Sequence, residues 1–173
     1  MSRSWRIHGS LAGALVAGAI VLGPAAAWAF TATLTIPSLC ASPIQVNAFS
    51  TETSNTASIG SAGGGAGAGK ATIKPLVLTK AVDDCTPLLF KAAFTGQHIA
   101  TATLQVGTNR TPTLFTIQLS NVFVTDIKHD FSRNGPGPAD DVLMETVTLD
   151  AAALSFTSGG STVRCDQTTN TCQ

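Results

Sequence analysis

Tyrosine is absent from this 173-residue chain, methionine and tryptophan occur twice each, and only 12% of residues are charged. A usual soluble domain has about a quarter of its residues charged. So low a share excludes a charge-driven disordered tail or a basic arm for nucleic acid. No excess of one sign exists either: Lys plus Arg and Asp plus Glu number 10 each. Arg3 and Arg6 lie at the very start, and without them a slight negative balance remains, so no strong electrostatic partner such as DNA is expected. No Cys-x-x-Cys pair occurs, and no Gly-x-Ser-x-Gly or His-Glu-x-x-His motif. The usual signatures of zinc sites, serine hydrolases and zinc proteases are therefore missing.

What is present begins with an export signal. Arg3 and Arg6 precede an uncharged stretch from Ser10 to Gly23, Pro24 breaks it, and Ala27-Trp28-Ala29 has the small-x-small form of a cleavage site. The apolar stretch falls short of the ~20 residues of a spanning helix. Residues 1–29 are thus expected to be a signal peptide, and residues 30–173 one exported domain with no stable membrane insertion after cleavage. All four cysteines, Cys40, Cys85, Cys165 and Cys172, fall in that domain. An even count behind a leader points to disulfides, with three connectivities open. Cys165 and Cys172 flank a short polar loop, which favours that pair and leaves Cys40 with Cys85.

Most of the domain reads as strands, because threonine alternates with aliphatic residues. Strands are expected over Phe30–Ile36, Ile44–Phe49, Thr72–Thr79, Ile99–Val106, Leu114–Ile127 and Val142–Phe156. Pro75 argues for an edge or bulge in the third. The apolar phase slips near Asn121 and near Ala153, which predicts a bulge or bend at each. One helix stands out: Thr86 as its cap, Pro87 at its first position, an apolar stripe of Leu88, Leu89, Ala92 and Ala93, and Gly96 as its end. Asp83 and Asp84 suit the positive end of its dipole.

Candidate chemistry is sparse. Gly64 to Lys70 fits a phosphate-loop pattern, but Ala71 stands where a hydroxyl should follow, and a strand rather than a helix comes next. His98 and His129 read as solvated strand-end residues. Asp140, Asp141 and Glu145 lack the alternation of a calcium loop and read as the solvated start of a strand. Asn109-Arg110-Thr111 has the form of a glycosylation acceptor, against which Pro112 argues. No catalytic centre, metal or cofactor is expected.

One stretch is more specific. From Gly63 to Ile99, a glycine-rich loop ends in Gly69-Lys70, a strand carries Leu76 (or Leu78), Thr79 and Lys80, and Asp83, Thr86, Pro87 and Leu89 open the helix. With the later strands and Glu145 to Leu149, this order resembles the Hcp family, the haemolysin-coregulated tube proteins of type VI secretion, over roughly residues 44–157. The resemblance implies a mainly β fold: a compact two-sheet β-barrel with one flanking α-helix. It implies homohexameric rings that stack into a tube, whose lumen can carry a secreted effector or ligand, and it implies no active site. Candidate subunit contacts are then the glycine loop (Gly63, Gly69, Lys70) and the helix (Pro87, Leu88, Leu89). The alternative is an exported, stand-alone binding module with the same fold.

Overall fold

The computed structural model describes residues 29–56, 71–133 and 141–173. The expected leader (apart from Ala29), Gly63, Gly69, Lys70 and the Arg133–Ala139 loop beyond Arg133 lie outside the described residues. Alternating threonine and aliphatic residues form β1 (Phe30–Thr35), and the chain continues through β2 (Ile44–Val46), β3 (Ala48–Ser50), β4 (Thr53–Asn55), β5 (Ala71–Ile73) and β6 (Leu76–Ala81). Helix α1 (Thr86–Thr95) follows, then β7 (Ile99–Thr108), β8 (Phe115–Arg133), β9 (Asp141–Ser158), β10 (Ser161–Asp166) and β11 (Thr171–Cys172). The expected second strand is split at Asn47. The expected third is split at Lys74-Pro75, because proline has no N–H to give a ladder. The pair β10–β11 was not expected.

Strand β9 organises the sheet. One of its sides pairs with β8 along the whole strand, and the other is shared by β6 over Met144–Leu149 and β10 over Ala153–Ser158. From β8 the sheet continues through β7 and β1 to β2. The run 44–50 then crosses to the other flank: β2 pairs with β1, β3 pairs with β6, and Asn47 N–H donates to the Thr79 carbonyl at 2.8 Å. No ladder joins β2 to β6 among the described residues. The mainly β fold with one flanking helix is as expected, but the expected compact two-sheet barrel is corrected to an open, branched sheet whose flanks are joined by this covalent run. Strands β4 and β5 form a separate two-stranded sheet.

The buried face changes sides on two neighbouring strands, β7 and β8, at the same level. Burial moves from Ile99 to Ala102 and Leu104 on β7, and from Ile117 and Leu119 to Val122 and Val124 on β8. On β9 it runs through Val147, Leu149, Ala151 and Ala153, while Phe156 is exposed. Asn121 stands at the change with φ 55°, a left-handed conformation that asparagine tolerates. The pairing on both sides of Asn121 keeps one register, so no residue is inserted there; the register shift lies between Val124 and Asp126. The bulge expected at Asn121 is thus an in-register kink.

Near the end of β7, a Cβ on Gly107 would collide with the Pro112 carbonyl oxygen, so only glycine fits. A single apolar cluster, including Leu34, Leu78, Leu89, Leu104, Val122 and Leu149, unites both flanks of the sheet with the helix.

Candidate functional site

Helix α1 is held by a buried polar cluster at its start. On β6, Leu76, Leu78 and Lys80 all point inward by the two-residue period of a strand, and Lys80 is directly opposite Glu145 on β9. Both side chains are 0% exposed. Lys80 Nζ lies 2.7 Å from Glu145 Oε1, 2.9 Å from Asp83 Oδ1 and 2.8 Å from the Ala81 carbonyl. An ammonium has three hydrogens, so these contacts use its capacity, and the Thr86 hydroxyl at 3.3 Å is a weaker fourth. That hydroxyl donates to Glu145 Oε1 (3.0 Å) and accepts the Asp83 N–H (3.0 Å).

Thr86 is therefore not the side-chain cap that its position suggests. The capping position is Cys85, which makes no side-chain cap, and the Thr86 hydroxyl is turned into the cluster instead. Asp83 Oδ1 accepts the Cys85 N–H at 2.9 Å, and the Cys85–Cys40 disulfide ties the helix start to the loop after β1. Glu145, expected to be solvated, is fully buried because Lys80 neutralises it. Its second oxygen has no hydrogen-bond partner. His129 Nε2 stands 3.2 Å from that oxygen, at ion-pair distance but outside hydrogen-bond geometry. The chemistry of the cluster is that of a peg joining β6, β9 and the helix.

The outer face of the helix is the unusual one. Its sequence, TPLLFKAAFT, contains one charge, Lys91. Leu89 and Ala92 are buried toward the sheet, where the helix packs on β8. Away from the sheet the helix exposes Phe90 (55%) and Phe94 (85%) on one flank and Leu88 (41%) on the other. A surface helix ordinarily has one apolar stripe and a polar back, and a helix that is apolar all round is ordinarily covered. Gly96 ends it at φ 61° and gives its backbone N–H to the Ala92 and Ala93 carbonyls. Beyond that end, the His98 ring meets Phe123 edge-on at 5.5 Å, and its Nε2 is 3.3 Å from Asn121 Oδ1. A second apolar patch lies on the long β8–β9 arm, where Phe131 and Leu143 face each other across the strands, 62% and 49% exposed.

Of the helix residues expected at subunit contacts, Pro87 and Leu88 are exposed, while Leu89 is 0% exposed and belongs to the core. Phe90, Phe94, Phe131 and Leu143 were not singled out by sequence. The signal for the first two was the near absence of charge in the helix. The four cysteines pair as Cys40–Cys85 and Cys165–Cys172. Among the described residues, no three potential metal ligands gather, and no helix is long and apolar enough to cross a membrane. A hollow of about 360 Å³ lies beside Thr72, Asn121, Phe123, Asp150, Gln167 and Thr168.

Residues 40–157 match the family described as "Type VI secretion system effector, Hcp". No curated protein sequence matches the chain. Among solved structures, a type six secretion system protein is similar with a TM-score of 0.73 at 19% identity, over 84% of this chain and 100% of that one. Hcp1 from Salmonella typhimurium has a TM-score of 0.68 at 18% identity, over 84% and 99%. Secreted protein Hcp3 from Pseudomonas aeruginosa has a TM-score of 0.56 at 17% identity, over 81% and 98%.

Proposed function

This chain belongs to the Hcp family of type VI secretion, and from that premise we propose that it is an exported structural subunit that assembles with identical copies into a homohexameric ring. The observation that carries the proposal is the apolar back of helix α1. Phe90 and Phe94, one turn apart on one flank of the helix, stand in water in the isolated chain, at a cost that burial against a neighbour would remove, at about 25 cal/mol per Å² covered. A closed ring needs a head-to-tail contact between two different patches. The Phe131–Leu143 patch on the β8–β9 arm is the second patch and receives the helix of the next subunit.

Export rests on the leader pattern of residues 1–29 and on two disulfides, which persist outside the reducing cytoplasm. The role is scaffolding: the ring holds or conveys an effector and performs no chemistry of its own. Light scattering on the exported, non-reduced chain tests this reading. A hexamer mass supports it. A monomer at working concentration overturns the ring and leaves the stand-alone binding module.

A further inference from the structure

We propose that the C-terminal disulfide is a redox-set clasp that fastens the separate β4–β5 sheet to the body of the domain. The two disulfides sit in different surroundings. Cys40 and Cys85 are both buried, whereas Cys165 is half-buried and Cys172 exposed. Thiol–disulfide exchange needs a thiolate to reach a sulfur, so exposure makes Cys165–Cys172 the bond that an external dithiol meets first.

What this bond holds follows from the hairpin around it. The β10–β11 ladder has two registered pairs, Cys165 with Cys172 and Asp166 with Thr171. Just beyond it, Arg164 and Gln173 exchange backbone hydrogen bonds of 2.9 and 2.8 Å. So short a hairpin is marginal alone, and here the disulfide joins a directly opposed pair. Its turn is docked in two directions. Gln167 N–H donates to the Ala152 carbonyl at 3.0 Å, and its side-chain amide donates to the Ala151 carbonyl. Asn170, at φ 54°, uses its Oδ1 to accept the Ala71 N–H at 3.1 Å.

Ala71 begins β5, whose ladder partner is β4, so the Asn170 bond reaches a sheet that is outside the main ladder network. Closing the disulfide fixes the turn, the turn places Asn170, and Asn170 holds β5. In the opening reaction, a dithiol reductant cleaves the Cys165–Cys172 S–S bond and itself closes to a cyclic disulfide. Its two thiol protons end on the two cysteine sulfurs. The clasp is therefore open in a reducing compartment and shut in an oxidising one, whether or not the chain assembles.

The test titrates the oxidised, purified chain with dithiothreitol, counting thiols and following backbone hydrogen exchange by mass spectrometry. Two thiols are expected first, with residues 71–73 then exchanging about tenfold faster while β7 and β8 keep their protection. The same loosening is expected in C165S/C172S, and in N170A with both disulfides intact. Unchanged exchange at residues 71–73 after reduction overturns the proposal, as does reduction of Cys40–Cys85 first. Normal protection in N170A overturns the Asn170 link. Should C165S/C172S fail to fold, the wild-type titration and N170A still decide.

Discussion

The two faces of helix α1 come from one ten-residue sequence and are treated oppositely by the fold. Inward, Leu89 and Ala92 enter the core, and at the helix start every strong donor of Lys80 is used by Glu145, Asp83 or a carbonyl. Outward, Leu88, Phe90 and Phe94 have water where a polar surface is ordinary. The difference separates two reasons for an apolar side chain. The inner set is needed for the subunit to exist, and in the proposed ring the outer set is what meets another copy.

The largest effect is expected at the polar peg. Replacing Lys80 with Ala leaves the Glu145 carboxylate buried without its counter-charge, and loss of one partner of such a pair costs about 3–5 kcal/mol. Denaturant unfolding of K80A measures it. A loss under about 1 kcal/mol would show that the peg is solvated and that the inner face is not the closed one. Next comes the pair of adjacent leucines. Leu89→Ala is expected to cost about 2–5 kcal/mol as a core cavity, and Leu88→Ala within about 0.5 kcal/mol for the monomer. Equal losses at the two positions would erase the distinction between the faces.

The smallest effect lies away from the helix, where bonds are exposed to water. The Thr168 hydroxyl, then the Thr168 and Thr169 backbone N–H groups, hold the Asp166 carboxyl below its ordinary value. A carboxyl depressed in the folded state stabilises it above the unfolded value, and this is lost as pH falls through the folded one. The C-terminal hairpin is thus expected to loosen at acid pH, below the ordinary aspartate range, and D166N to remove that dependence. Hydrogen exchange in the hairpin against pH checks the sign. Loosening on raising the pH would contradict it.

How far the sequence was legible follows the range of each interaction. The helix was legible from Pro87 and Gly96, since each acts on its own turn, and threonine alternation marked most strands. The disulfide Cys165–Cys172 was favoured because its partners are near in sequence. The role of Thr86 was not legible, because a hydroxyl that caps a helix and one that turns into the core occupy the same place in a motif. The burial of Glu145 depended on its pairing with Lys80, 65 residues away, which only strand register supplies. The open path of the sheet was hidden for a related reason: the run 44–50 reads as one strand, and its change of partner at Asn47 is a tertiary event.

The most direct test of the central claim compares, by light scattering, the mass of the oxidised chain of residues 30–173 with that of F90D/F94D, with unfolding midpoints measured for both. The account predicts a hexamer for the first, a monomer for the second, and midpoints that differ little once the chains are apart. A hexamer that survives F90D/F94D, or a wild-type chain that stays monomeric, would contradict it.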